Sequence, residues 1–153
     1  MPPILAPVDL PPVWLTLHIV AVWGLSKISP AVFGFAGDVA GLGLVALGAL
    51  IAFGAAFQMV RHRTTVIPRR DPTALVSTGL FAWSRNPIYL ADLIILLGVI
   101  LWLDAVLALP LLVLFAWLIQ TRFILDEEAR LTVAFGPEFD LWAARTRRWL
   151  GRR

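Results

Sequence analysis

The sequence contains no cysteine and only two histidines, His18 and His62. The first absence removes disulfides, thiolate metal sites and cysteine nucleophiles together. The second, with no HExxH or EF-hand pattern, leaves little from which to build a metal site. Charge is scarce as well: charged residues are 15% of the 153 positions and hydrophobic residues 59%, against about 25% and roughly 45–50% in soluble domains. Too little polar surface remains to cover a water-soluble globule of 16.9 kDa, and the mean hydropathy of +0.83 agrees. The solvent implied by composition is lipid, which excludes disordered, collagen-like and nucleic-acid-binding classes. The pI near 10.6 rests on a net charge of only +3. No internal repeat of 20 to 50 residues is evident. Met1 to Pro12 holds five prolines and no basic residue, so it lacks the charged start of a cleavable signal peptide and the first span is expected to be retained.

What is present is a set of long apolar runs. A spanning helix needs about 20 apolar residues, and hydropathy predicts about four such segments: Val13–Ser29, Asp38–Met59, Ile88–Leu103 and Ala105–Thr121. The expected fold is an all-α polytopic membrane protein with about four transmembrane helices and a cytoplasmic C-terminal helical segment. All twelve arginines follow the second span. Arginine and lysine are retained on the cytoplasmic side, so Arg61–Arg85 and Arg122–Arg153 are expected to be cytoplasmic, with both termini on that side, in a bacterial inner membrane or its equivalent. Gly37 and Gly41 form a GxxxG, read as close helix packing rather than as a nucleotide loop around Gly41-Leu42-Gly43.

Several polar residues need a role. IPRRDP (Ile67–Pro72) reads as a loop, because prolines break helix on either side of its charges. Pro87 suits the first turn of the third span, which makes Asn86 a candidate helix cap. Asp126, Glu127 and Glu128 are consecutive, and on a helix they point in directions about 100° apart; they read either as a solvated helix continuation offset by Arg130 and other basic residues, the reading favoured by residue type alone, or as a group of which at least one faces the bundle. Asp92 inside the third span is a candidate functional group. His18 is read as a packed or interfacial residue and Gln120 as a partner for a neighbouring helix. The tail from Phe135 to Arg153 reads as a membrane-surface helix with Trp142 and Trp149 in the interface.

The blocks LVSTGLFAWSRNPIYL (Leu75–Leu90), EEARLTVAFGPEFDLW (Glu127–Trp142) and RRWL (Arg147–Leu150), in this order around a hydrophobic hairpin, resemble the integral-membrane isoprenylcysteine carboxyl methyltransferase and phospholipid methyltransferase superfamily. The resemblance covers about Thr64 to Leu150. It implies a single membrane domain over 1–153, with a two-span region at 13–60 and a methyltransferase-like core at 61–153 holding a cytoplasmic cofactor site. It further implies S-adenosyl-L-methionine as cofactor. Contacts would fall at Thr73, Ala74, Leu75, Val76, Phe81, Asn86, Pro87, Tyr89 and Glu127.

This chain departs from the superfamily pattern at three places. Asn86 replaces the histidine of RHPxY, which excludes proton transfer there but keeps hydrogen bonding. Phe139 and Trp142 stand where tyrosines are common. Phe123 stands where the isoprenylcysteine enzymes carry a substrate-associated arginine, and the nearest basic residue, Arg122, is the candidate for that role. The implied activity is methyl transfer to a lipophilic or small membrane-permeant acceptor, a carboxylate, thiol or amine, with the bilayer as partner and neither nucleic acid nor metal involved. The alternatives are a non-catalytic scaffold or lipid-binding protein with a vestigial cofactor site, and a sterol-reductase-like enzyme, for which the chain lacks length and a 2′-phosphate site.

Overall fold

The computed structural model describes residues 9–67 and 72–152. Among them the regular structure is helical: α1 (Pro11–Ser26), α2 (Gly34–Arg61), α3 (Pro87–Trp102), α4 (Leu109–Ile119), α5 (Leu125–Phe135) and α6 (Pro137–Arg145). Short 3-10 turns precede α3 and α4, and a π turn over Gln120–Ile124 joins α4 to α5 without a break. Met1 to Val8 and the Pro68–Asp71 part of the expected IPRRDP loop lie outside the described residues.

Among the described residues two helices are long and apolar enough to cross a membrane: Gly34–Arg61, with 28 residues, and the continuous rod Val106–Phe135, with 30. At 1.5 Å per residue, α1 and α3, with 16 residues each, reach only about 24 Å, short of the roughly 30 Å hydrocarbon core. Of the about four expected spans, two are of full spanning length and the other two are shorter apolar helices. The reasons are local. Helix α1 stops at Ser26, ahead of Pro30, and α3 is bounded by Pro87 and by the turn at Asp104. The last rod runs on past Thr121, because the π turn absorbs the change of register instead of ending the helix.

Outward-facing side chains fit a lipid surround: Phe53 is 77% and Val113 73% exposed, an arrangement that would be a large apolar patch in water. Helix α2 packs on α3 through small residues. A Cβ added at Gly41 would stand 2.5 Å from both Gly98 O and Trp102 N, and one at Gly98 2.7 Å from Gly41 O. The backbones therefore touch at this crossing, as the packing reading of the GxxxG requires.

The turn between α3 and α4 also closes the start of α2. Asp104 accepts hydrogen bonds from the backbone N–H groups of Val32 (2.9 Å), Phe33 (2.9 Å) and Gly34 (3.1 Å), so a carboxylate distant in sequence satisfies donors that no local side chain caps. Bonds from Phe33 first, then Val32 and Gly34, hold its carboxyl below the ordinary value of 3.8. A depressed folded pKa means the stabilisation is complete above the ordinary value and is lost as pH falls through the folded one. Asp104 also adopts a left-handed backbone, φ 48°, which asparagine tolerates equally. Asp104→Asn should therefore melt at lower temperature than the native protein at pH 7, and the gap should narrow as pH is brought below about 3.8; melting curves in one detergent at several pH values check this.

The buried side chains form two clusters. One joins α1, α3 and α4 through Val22, Leu96, Ile100, Phe115 and Ile119, with Tyr89 and Phe123 at one end. His18 belongs here: its ring meets Phe115 edge-on at 4.9 Å and its Nδ1 lies 2.8 Å from Trp14 O. The other gathers Ala55, Val76, Phe81, Phe139 and Trp142.

Candidate functional site

Between the two clusters lies a cavity of about 270 Å³. The chain builds it from the starts of α1 and α3, the end of α2 with residues 64–67, the segment before the 3-10 turn, and one face of α5. Gly79 makes the entry to that turn possible. It has φ 58°, and the Gln58 side chain occupies the space a Cβ would need, while Gln58 Oε1 accepts the Leu80 N–H at 3.1 Å.

Of the residues expected from sequence, Ala74, Leu75, Val76, Phe81, Asn86, Pro87, Tyr89 and Glu127 all line this cavity. Thr73 does not. Its hydroxyl donates to Arg63 O at 2.7 Å and its N–H to Thr64 Oγ1 at 3.3 Å, which ties the loop back to the end of α2. Arg122 is also absent from the lining. Its Nε donates to Asp9 Oδ1 at 2.6 Å and its guanidinium lies 5.3 Å from the Trp14 ring centre, so it fastens the last rod to the start of α1. Phe123 beside it is core, 6.4 Å ring to ring from Tyr89.

The three consecutive carboxylates take three environments. Asp126 is exposed and pairs with Arg130 at 3.5 Å, one turn on. Glu127 lines the cavity and accepts the Tyr89 phenol at 2.7 Å. Glu128 receives Arg148 in a bidentate clasp, Nε at 3.1 Å and Nη2 at 2.6 Å, together with Arg85 Nη2 at 2.9 Å. The hydrogen bonds that Arg148 donates to Glu128 hold its pKa above the ordinary value. The π turn adds a residue to its turn and so re-phases α5 against α4; no residue pattern signalled that shift.

The residues after α6 form a strap across the segment before α3. Arg85 N–H donates to Arg147 O at 3.1 Å, Gly151 N–H to Trp83 O at 2.7 Å, and Arg147 N–H to Gly151 O at 2.9 Å. The two tryptophans turn inward. Trp142 is buried and donates to Phe81 O at 2.9 Å, and Trp149 Nε1 donates to Gln120 Oε1 at 3.1 Å. Each indole thereby finds an acceptor and an apolar bed within the protein, which outweighs an interfacial position.

Asn86 stands at the N-cap of α3, but its side chain makes no cap bond. Its Nδ2 donates to Arg148 O at 3.1 Å, and its N–H is taken by the buried Ser84 hydroxyl at 3.1 Å. The expected capping role is thus replaced by a clasp on the strap. Asn86→Ala should lower stability by about 1–3 kcal/mol, the cost of leaving a buried carbonyl without its donor, and proteolysis should then reach the C-terminal residues first; melting and limited digestion check both.

Sequence reasoning missed the other walls: Pro11 and Pro12 from the start of α1, Met59 and Thr64 to Ile67 after it, and Arg130 with Leu131 on α5. Only proximity to the loop hinted at residues 64–67. The lining offers aromatic faces in Phe81 and Tyr89, an acceptor in Glu127 and guanidinium donors in Arg85 and Arg130. That set matches the parts of S-adenosylmethionine: adenine, hydroxyls and ammonium, and carboxylate.

A family model described as phospholipid methyltransferase matches residues 37–138. No curated protein and no solved structure matches the chain. The matched stretch carries α2, the cavity segment before α3, the apolar hairpin and α5, and the chain belongs to the phospholipid methyltransferase family.

Proposed function

We propose that this membrane methyltransferase takes its methyl group from S-adenosyl-L-methionine, held in the cavity between the two core clusters, and passes it to a lipophilic or small membrane-permeant acceptor. The observation that carries this reading is the convergence of the residues implied as cofactor contacts, all but Thr73, on one cavity. When bound, the cofactor supplies an electrophilic methyl carbon on a cationic sulfonium. The protein's part is then mainly positioning, because an in-line displacement needs its two partners close and collinear more than it needs a dedicated base.

Glu127 and Tyr89 act here as one unit. The phenol donates to the carboxylate, fixing the oxygen that accepts from ribose hydroxyls or the ammonium group. Phe81 and the aliphatic walls exclude water, which strengthens the interactions inside. The strap closes this end of the bundle through Asn86 and Ser84, so Asn86 serves by holding the wall in place. Both polar segments face the cytoplasm, where the water-soluble cofactor is available, and the acceptor arrives from the bilayer along the apolar walls around Pro12 and Met59.

Titration of S-adenosylhomocysteine into the native protein in lipid nanodiscs, followed by calorimetry, tests the reading. Saturable binding at one site per chain is the expected result; heats that match protein-free discs would overturn it.

A further inference from the structure

Asp92 is on α3, four residues after Ile88 and three after Tyr89, so it shares their helix face, and like them it lines the cavity. It is half-buried. The neighbouring carboxylates have partners in the fold: Tyr89 donates to Glu127, Arg85 and Arg148 hold Glu128, and Arg130 meets Asp126. Asp92 makes no hydrogen bond and no ion pair with any described residue. A carboxylate inside an apolar helix is costly unless a donor meets it. The described residues supply none, and Asp92 lines the cavity, whose other walls include Pro12, Met59, Val66 and Ile88.

We propose that Asp92 receives the head group of the methyl acceptor and selects for a hydrogen-bond donor, an amine, thiol or hydroxyl, carried on an apolar chain. This rests on reading the cavity as the methyltransferase site. A donor head meets the carboxylate and removes the cost of its burial, while the apolar chain lies along aliphatic wall. A carboxylate head meets a like charge in a water-poor space. The guanidinium groups of Arg85 and Arg130, which also line the cavity and pair with Glu128 and Asp126, are in this reading the donors for the cofactor's carboxylate and not for the acceptor's head. Asp92 is therefore a specificity-determining residue, and it disfavours carboxylate acceptors.

Binding of decylamine, decanethiol, decanol and decanoate to the native protein in nanodiscs, followed by tryptophan fluorescence and corrected against protein-free discs, tests this. The native protein should prefer the donor heads to decanoate, and the ranking among the three identifies the head atom. Asp92→Asn, which keeps shape and polarity but removes the charge, should weaken decylamine binding about tenfold or more, the loss of a charged hydrogen bond, and should bind decanoate more tightly than the native chain does. Equal affinity of the native protein for all four probes would overturn the proposal, whether or not the variant folds; so would an unchanged preference in Asp92→Asn. S-adenosylhomocysteine titrated into both proteins separates the two readings. Normal binding of it without head-group preference rejects the role of Asp92 alone, whereas its failure to bind, beside a clear donor preference, rejects the cofactor assignment and leaves Asp92 in place.

Discussion

Glu127→Gln is expected to lower affinity for S-adenosylhomocysteine about tenfold to a hundredfold, the equivalent of roughly 1.5–3 kcal/mol for a charged hydrogen bond. The carboxylate lines the cavity and is oriented by the Tyr89 phenol at 2.7 Å. Glutamine preserves volume and one acceptor oxygen but not the charge that draws an ammonium or ribose hydroxyl. Tyr89→Phe should reproduce part of the loss, since it removes the group that aims the carboxylate and leaves the ring. Helical content and melting temperature should change little in either variant. Calorimetric titration of both against the native protein measures the effect, and equal affinities in all three would count against Glu127 as a contact.

Glu128→Ala, one residue on, should fail in a different way. Its carboxylate gathers Arg85 and Arg148, with Glu128 itself only 15% exposed. Removing it leaves two guanidinium groups facing each other without a counter-charge. The expected cost is about 3 kcal/mol, at the low end for breaking a buried pair because Arg148 is partly exposed. The strap carrying Arg148 should loosen as a consequence, since its carbonyl bond to Asn86 would then be among the few polar ties left. A large drop in melting temperature, with cofactor affinity nearly native in the fraction still folded, is the expected outcome. Glu128→Gln should fall between, because it keeps an acceptor for the guanidinium groups. A variant as stable as the native chain would show that the clasp contributes nothing net.

The contrast between these neighbours shows how far the sequence could be read. That three consecutive carboxylates must point in different directions follows from helix geometry, and the superfamily pattern singled out the first of the pair. Which arginines would claim Glu128 did not follow, because Arg85 and Arg148 are brought there by a strap whose contacts are backbone hydrogen bonds. Such bonds leave no trace in residue type. The same limit applies to Asp104, which caps α2 from more than 70 positions away. Segments with strong apolar runs were legible in existence, and α1 and α3 fall close to the expected runs, but the last rod continues past Thr121 because the π turn carries it into α5. Trp142 and Trp149 looked interfacial by composition; their indole donors found Phe81 and Gln120 instead. The cavity lining was legible where it followed the RNPIY block, and illegible at Pro11, Met59 and Leu131, whose residue types are indistinguishable from lipid-facing ones.

The assignment of the cavity as the methyl-donor site is tested most directly by photo-crosslinking. Methyl-labelled S-adenosylmethionine is bound to the native protein in nanodiscs and irradiated, and the labelled peptides are mapped with and without excess S-adenosylhomocysteine. Label suppressed by the competitor and confined to peptides containing Phe81 to Tyr89 and Glu127 is the result this structure leads one to expect. Label on the Asp9, Trp14 and Arg122 side of the bundle, or label that the competitor leaves unchanged, would contradict it.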